Sequence, residues 1–173
     1  YKLDAMENDF HAERVSLRQA AKDSINELKS SFIERGIFPK LEAEEQLVVY
    51  SDSKWLRFVL YQLLTNALKY SDAGSAIVVK AYDTPSDIVL CVEDSGCGIA
   101  PEDLPRIFDL FFTGQNGRLR GESSGLGLYM VKQILDDLGH SIKVTSSPGK
   151  GSRFQVLFSK RAPGETARKI AEL

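Results

Sequence analysis

The sequence has few of the residues and runs that mark several classes of protein. Its 173 residues contain two cysteines, Cys91 and Cys97. Two cysteines are too few for a disulfide framework and favour reduced thiols in a cytosolic setting. No run of about 20 apolar residues occurs, and the N-terminal YKLDAMENDF lacks the basic start and apolar core of a signal peptide. The sequence therefore predicts no membrane span within this stretch of chain.

An excess of one charge is also missing. The chain carries 22 Lys and Arg against 24 Asp and Glu, a formal net charge of -2, and has no long basic run. Nucleic-acid and anionic-membrane surfaces need clustered positive charge, so neither is predicted as a partner. With 43% hydrophobic residues the chain can form one globular domain, predicted over residues 1–160 and followed by a polar tail, 161–173. A first residue Tyr1, with no methionine, suggests a longer protein with a possible membrane anchor upstream.

Apolar residues recur every three or four positions in three segments, which is the spacing of amphipathic helices. Gly36 and Pro39 would close the first helix, and Asp52 or Ser53 offers a side-chain cap to the second. The predicted helices are Leu17–Phe38, Lys54–Tyr70 and Leu126–Leu138.

Shorter β-branched runs predict strands. The turns DTPSD and SPGKG join four of them into two hairpins. Between the hairpins we predict a short helix over Pro101–Phe111 and then a mobile lid, because residues 113–125 are polar and rich in glycine. This order predicts an α+β sandwich with helices on one face of a mixed sheet. The predicted strands are Leu47–Ser51, Ala76–Tyr82, Ile88–Glu93, Ser141–Ser146 and Ser152–Phe158.

One polar face of the second helix is a candidate site. Gln62, Asn66, Lys69 and Tyr70 lie opposite the apolar stripe of that helix. An Asn oxygen can ligate Mg²⁺ and a Lys one turn later can contact phosphate, which suits a nucleotide. A merely solvated helix face is the competing interpretation.

Two glycine-containing loops are further candidates. Asp94 follows a predicted strand and begins DSGCGI, where an acid could accept a hydrogen bond from an exocyclic amine; an ordinary Asp/Gly turn is the alternative. The segment GESSGLG opens the third helix, whose free N-terminal amides favour an anion. It is not a Walker A loop, since no Lys-Ser/Thr follows the glycines.

Taken together and in this order, the motifs resemble the ATP-binding domain of the two-component sensor histidine kinases. QLLTNALKYS resembles the N box, DSGCGI the G1 box, IFDLFF the F box and SSGLGLYMVKQI the G2 box, and the resemblance covers about Asp9 to Phe158. The segments FIERGIFP and FTGQNGR are most similar to Gram-positive intramembrane-sensing kinases that respond to peptide antibiotics. The resemblance implies a Bergerat-type ATP-binding fold with a flexible lid.

The resemblance also implies roles for individual residues. Asn66 would hold Mg²⁺, Asp94 would bind the adenine amine, and Gln62, Asn66 and Lys69 would form the catalytic set. Phe108, Phe111 and Phe112 would brace the lid, dock on the phosphoacceptor helices, or simply be core aromatics. The implied ATP-binding residues are Asn66, Lys69, Tyr70, Asp94, Gly96, Gly98, Ile99, Arg118, Arg120, Gly125, Leu126, Gly127 and Leu128.

The sequence departs from the family in two respects. Gln62 is an amide and cannot serve as a general base, so any base must come from elsewhere. His11 and His140 both lack the context of the phosphorylated histidine. The implied partners are therefore a phosphoacceptor and dimerisation hairpin outside this chain and a response regulator. The whole protein would be a membrane-bound homodimer with this domain in the cytoplasm.

Two other readings remain open at this level. Related folds occur in ATPases that use ATP for dimer clamping and in serine kinases, although KYS at the end of the N box and the F box disfavour these. A nucleotide-binding regulatory module that transfers no phosphate is the third possibility, and the intact Asn66, Lys69, Asp94 and Gly127 argue against it.

Overall fold

The chain folds around a five-stranded mixed sheet. The computed structural model describes residues 10–114 and 125–160. In those ranges none of the helices has the length and hydrophobicity needed to cross a bilayer. The elements in chain order are β1 (Glu13–Ser16), α1 (Leu17–Glu27), α2 (Lys29–Arg35), β2 (Phe38–Ala43), β3 (Val48–Ser51), α3 (Ser53–Tyr70), β4 (Ala76–Asp83), β5 (Asp87–Asp94), a 3-10 turn (Leu104–Arg106), α4 (Gly127–Leu138), β6 (Ser141–Ser147) and β7 (Gly151–Ser159).

The main sheet has the strand order β2-β4-β5-β7-β6, and β1 pairs with β3 in a separate two-stranded sheet. The β2–β4 pair is parallel, whereas β4–β5, β5–β7 and β6–β7 are antiparallel. In the central pairs Asp94 lies opposite Ile77 on β4 and opposite Ser152 on β7. Asp94 therefore lies at the end of the central strand, β5, with a neighbouring strand on each side.

The hydrophobic core lies between one face of the sheet and the helices. α3 contacts α1, α4 and β5, and α4 also contacts β6, which makes two layers. Alternate strand residues face the helices because side chains along a strand point to opposite sides. The opposite face carries polar side chains, with Lys80 and Arg153 both paired to Glu93. Core residues with almost no exposure include Leu56, Leu60, Leu63, Ile77, Leu90, Ile134, Phe154 and Val156.

The predicted α+β class and the second and third helices are confirmed. Asp52 is the N-cap of α3 and accepts a hydrogen bond from the Trp55 amide at 3.1 Å. The C-caps of α2 and α4 are Gly36 (φ 67°) and Gly139 (φ 79°), both in the left-handed conformation. Strong periodicity and identifiable caps account for this agreement.

The first predicted helix is wrong in extent. The helical segment is interrupted at Leu28 (φ -100°, ψ 12°) and ends at Arg35. Phe38 and Pro39 belong instead to β2, an edge strand whose prolyl residue lies opposite Ile77. An edge strand tolerates proline because the backbone on one side of it has no strand to pair with. The charged residues Lys40 and Glu42 interrupt the apolar run by which a strand is predicted.

The predicted helix over Pro101–Phe111 is also wrong. This segment contains only the 3-10 turn Leu104–Arg106 between other turns. Pro105 lacks an amide hydrogen, so it cannot donate the bonds that would continue a helix. The sequence does not predict the strand β1, because ERVS has one apolar residue and lacks the β-branched run that marks the equally short β3. The central part of the predicted lid, residues 115–124, lies outside the described residues, as does the tail after residue 160.

Candidate functional site

A cleft of about 310 Å³ opens beside the second half of α3. Its other walls come from the end of β5 and the loop after it, the segment before residue 115, the start of α4 and the start of β7. The volume falls within the range of small-ligand sites. The lining residues are Gln62, Thr65, Asn66, Lys69, Tyr70, Asp94, Gly98, Ile99, Asp103, Ile107, Phe112, Thr113, Gly114, Gly125, Gly127, Leu128, Ser152 and Phe154.

Helix α3 presents one polar stripe to this cleft. Gln62, Asn66 and Lys69 are three and four residues apart and therefore share a face. The opposite face, which includes Leu56 and Leu63, is buried against the sheet. The packing of α3 thus fixes the direction in which the polar stripe points.

Asp94 supplies a carboxylate at the end of β5. It accepts a hydrogen bond from the Gly96 amide at 2.9 Å and another from the Ser152 backbone. Burial raises the pKa of Asp94, and the two backbone hydrogen bonds oppose this increase without cancelling it. A partly desolvated acid that keeps lone pairs for a further donor is suited to bind an amine.

The glycines after Asp94 allow close contacts within the protein. A Cβ on Gly96 would lie 2.2 Å from the Tyr70 carbonyl oxygen. Gly98 has φ +72°, and a Cβ there would lie 2.1 Å from the Ser147 carbonyl oxygen. The Cys97 amide donates to the Tyr70 carbonyl at 3.3 Å. The loop is therefore held between the end of α3 and the β6–β7 turn, and only Gly98 of the two glycines lines the cleft.

Lys69 lies at the C-terminal end of α3. Its Nζ is 5.5 Å from the centroid of the Tyr70 ring, and its carbonyl accepts a hydrogen bond from Arg35 at 3.4 Å. Burial lowers the pKa of Lys69, since desolvation penalises its charged form. The ammonium group is thus partly desolvated at the cleft wall. An anionic ligand there would stabilise its charged form.

A backbone hydrogen bond and a close approach to a side chain lie near the start of α4. The Phe111 amide donates to the Gly125 carbonyl at 3.0 Å. Both residues have positive φ, 64° for Phe111 and 68° for Gly125, which is uncommon for a residue as bulky as phenylalanine. A Cβ on Gly127 would lie 2.5 Å from Gln62 Oε1, so the α4 N-terminus approaches the polar stripe of α3 closely.

The F-box aromatics have three different environments. Phe108 packs against the core, Phe112 both packs against the core and lines the cleft, and Phe111 is 65% exposed. The Arg106 guanidinium lies over the Phe112 ring at 4.5 Å. The three residues therefore do not form a single core cluster.

The structure brings most of the predicted site residues to one cleft. Gly96 and Leu126 do not line it, because Gly96 packs on Tyr70 and Leu126 is the N-cap position of α4. Arg118 and Arg120 lie outside the described residues. The predicted residues that line the cleft are Gln62, Asn66, Lys69, Tyr70, Asp94, Gly98, Ile99, Gly125, Gly127 and Leu128.

Several lining residues were missed from the sequence. Thr65 follows the helical spacing of the polar stripe and could have been found by periodicity. Ser152 and Phe154 reach the cleft through strand register, since Ser152 lies opposite Asp94 on β5. Asp103 and Thr113 come from turns whose paths no local pattern reveals.

Neither histidine lies in the cleft. The His11 amide donates to Asp52 Oδ2 at 2.6 Å. His140 Nε2 is hydrogen-bonded to Ser51 Oγ at 2.8 Å, and its ring lies 4.5 Å from that of Phe158.

Comparison with known proteins identifies the family. Residues 51–162 match the family described as "Histidine kinase-, DNA gyrase B-, and HSP90-like ATPase". "Sensor histidine kinase YxdK" of Bacillus subtilis (strain 168) is 39% identical over 91% of this chain and 49% of its own length. "Sensor histidine kinase GraS" of Staphylococcus haemolyticus (strain JCSC1435) is 36% identical over 92% of this chain and 46% of its own length.

A solved structure gives the same result. The "Mycobacterial sensor histidine kinase MprB" superposes with a TM-score of 0.73 at 25% identity, covering 86% of this chain and 97% of that one. The chain therefore belongs to the histidine kinase-, DNA gyrase B- and HSP90-like ATPases. Within that family it is similar to part of the sensor histidine kinases of Bacillus and Staphylococcus. It spans about half the length of the curated relatives that it matches.

Proposed function

We propose that the cleft binds Mg²⁺-ATP with adenine at Asp94 and the phosphates along Asn66 and Lys69, for transfer of the γ-phosphate to a histidine. The observation that carries this proposal is the placement of a half-buried carboxylate, Asp94, and a polar helical stripe on one cleft. Ile99, Ile107 and Phe154 provide apolar surface for a flat base. The cleft thus combines apolar surface and an acceptor for a base with polar groups for the phosphates.

The residues present fit a magnesium ion that arrives with nucleotide. Asn66 offers one amide oxygen, and Mg²⁺ in such sites completes its coordination with phosphate oxygens and water. When bound, Mg²⁺ neutralises phosphate charge during transfer. Lys69 adds a cation on the same stripe, and the N-terminus of α4 at Gly127 presents amides whose dipole favours an anion.

In this proposal Gln62 helps to position the start of α4 and transfers no proton. Its amide cannot act as a base at neutral pH, and its Oε1 lies beside Gly127 at the start of α4. Phosphoryl transfer depends chiefly on positioning and charge neutralisation, so a base within this cleft is not required. Arg118 or Arg120, both outside the described residues, stays the predicted phosphate contact.

The remaining partners belong to the longer protein. We infer that the phosphoacceptor histidine lies on a dimerisation hairpin outside this chain, because neither His11 nor His140 lines the cleft and neither has the sequence context of the phosphorylated histidine. A cognate response regulator would receive the phosphate. Similarity to YxdK and GraS supports a cytoplasmic domain of a membrane-bound homodimer, and the segments quoted above support peptide-antibiotic sensing.

Calorimetric titration with ATP in the presence and absence of Mg²⁺ tests the binding site. We expect saturable binding by the intact chain, strong loss in Asp94→Ala, and loss of the Mg²⁺-dependent gain in Asn66→Ala. Asn26→Ala, on an exposed position of α1, is the matched control and should bind normally. Circular dichroism establishes that each variant is folded. Normal binding by folded Asp94→Ala would refute the assignment of the adenine pocket.

Transfer is tested separately with the phosphoacceptor hairpin of the full-length protein added in trans. We expect ³²P from γ-labelled ATP to appear on the hairpin with the intact domain and not with Asn66→Asp. Binding without transfer by the intact domain would instead support the regulatory-module interpretation.

A further inference from the structure

The hydroxyl of Ser146 lies at the centre of a small hydrogen-bond network beside the cleft. Its Oγ accepts a hydrogen bond from the Ile99 amide at 2.8 Å and donates to the Gly151 carbonyl at 2.9 Å. The Ser152 hydroxyl lies 2.9 Å from the same oxygen. Ser146 itself does not line the cleft, so its contacts act on residues that do.

These contacts use the full capacity of a hydroxyl group. A serine hydroxyl has one donor hydrogen and two acceptor lone pairs. Since the hydrogen of Ser146 is directed to the Gly151 carbonyl, the Ser152 hydroxyl must donate to Ser146 Oγ. The Ile99 amide takes the second lone pair. The Ile99 amide, the Gly151 carbonyl and the Ser152 hydroxyl are therefore all hydrogen-bonded to one hydroxyl group, that of Ser146.

The network leads directly to the residue proposed to recognise adenine. Ser146 lies opposite Ser152 in the β6–β7 pair, and Ser152 lies opposite Asp94 in the β5–β7 pair. The three residues thus form a row across neighbouring strands. The Ser152 backbone donates to the Asp94 carboxylate, so one end of the row fixes the orientation of the acid.

The same hairpin holds the loop after Asp94 from a second direction. The Gly149 amide donates to the Cys97 carbonyl at 2.8 Å. Ile99, at the end of the DSGCGI motif, lines the cleft, and its amide is hydrogen-bonded to Ser146. The loop is consequently held by a turn contact at Cys97 and by a side-chain contact at Ile99.

From this geometry we propose that Ser146 is a positioning residue that sets the selectivity of the cleft for a base carrying an exocyclic amine. The proposal rests on the ATP site proposed above. Ser146 bonds Ser152, whose backbone donates to the Asp94 carboxylate, and Ile99, which lines the cleft, so that the carboxylate is held toward the amine. Its removal leaves the Ile99 amide, the Ser152 hydroxyl and the Gly151 carbonyl without the partner that they have here.

The test compares ATP with inosine triphosphate, which carries a carbonyl oxygen in place of the exocyclic amine. Dissociation constants for both are measured by calorimetry for the intact chain, Ser146→Ala, Ser146→Thr and Ser141→Ala. Ser141 is an exposed serine on the same strand and serves as the matched control. Thr keeps the hydroxyl and is favourable in a strand.

We expect the intact chain and Ser141→Ala to prefer ATP to the same extent. In Ser146→Ala the ATP affinity should fall on the order of tenfold while the inosine triphosphate affinity changes little. The reason is that Asp94, no longer held in place, loses its hydrogen bond to the exocyclic amine, which only ATP has. Ser146→Thr should retain most of the preference. A merely structural role would lower both affinities together and leave their ratio unchanged.

The outcomes separate the two proposals. If the intact chain does not distinguish the two nucleotides, the assignment of Asp94 to adenine fails. If it distinguishes them and folded Ser146→Ala distinguishes them equally well, the role of Ser146 is refuted. Should Ser146→Ala fail to fold, Ser146→Cys provides the measurement, since its thiol makes weaker hydrogen bonds and must then give an intermediate ratio. An unchanged ratio in Ser146→Cys would also overturn the proposal.

Discussion

Buried hydroxyl groups in this domain differ in whether they are satisfied. Ser71 is 2% exposed, and its Oγ donates to the Ala67 carbonyl at 2.7 Å. Ser51 is equally enclosed and is bonded to His140. Ser24, on α1, is 1% exposed, and its Oγ has no hydrogen-bond partner among the described residues. A buried hydroxyl without a partner loses its hydration with no compensation, so Ser24 is a local weakness of the core.

Replacing Ser24 with alanine should therefore stabilise the domain. We expect the free energy of unfolding to rise by about 1 kcal/mol, because the unsatisfied hydroxyl is removed and alanine is the better helix former. Chemical denaturation monitored by circular dichroism measures the change. Ser71→Ala is the matched control and should lose about 1 kcal/mol, since its hydroxyl has a partner. Equal destabilisation of both variants would contradict this explanation.

At the scale of elements, the loop after β5 is positioned by the elements on either side of it. Tyr70, the last residue of α3, contacts Gly96 and Cys97 through its carbonyl oxygen, while the β6–β7 turn contacts Cys97 and Gly98. The sequence analysis includes Gly96 and Gly98 among the implied ATP-binding residues. The structure shows that Gly96 serves packing and that its effect on the cleft is indirect.

Gly96 and Gly127 give a matched pair of variants for this element. Gly96→Ala would place a Cβ 2.2 Å from the backbone oxygen of Tyr70, whereas Gly127→Ala would meet the flexible end of Gln62 at 2.5 Å. We expect Gly96→Ala to lower stability by about 1–3 kcal/mol and to weaken ATP binding. Gly127→Ala should keep or increase stability, because alanine favours the helix. Thermal unfolding with and without ATP measures both effects, and an unperturbed Gly96→Ala would show that the loop moves away from α3 at little cost.

The elements that could be predicted are those with local signals. α3 and α4 have apolar periodicity together with Asp52 or Gly139 as caps, so their positions followed from short stretches of sequence. β2 and the break at Leu28 depend on packing with β4 and α3, which a local pattern does not contain. The same limit applies to the site. Asp94 lies in a recognisable motif, but Ser146 and Ser152 reach it only through strand register.

At the scale of the whole molecule, His140 joins three elements that are far apart in the sequence. It follows the C-cap Gly139 of α4, is hydrogen-bonded to Ser51 at the end of β3, and packs against Phe158 of β7 with the two rings tilted by 58°. The C-terminus of a helix favours a protonated histidine, but burial has the larger effect here and lowers the pKa of His140 to about 4. The fold therefore requires the neutral imidazole, which links global stability to pH.

The sign of this linkage follows from the direction of the shift. Between the folded pKa of about 4 and the ordinary value of 6.5, the unfolded chain binds more protons at this position than the folded chain. Stability should thus be fully present above pH 6.5 and should decrease as the pH falls toward 4, by about 3 kcal/mol in total. Asp94 has a raised pKa, and its linkage has the opposite sign.

Denaturation of the intact chain and of His140→Asn at each pH isolates the contribution of the histidine, because Asp94 and the other carboxylates contribute equally to both proteins. We expect the difference between them to shrink as the pH falls from 6.5 to 4, and parallel curves would show that His140 is not held neutral by the fold.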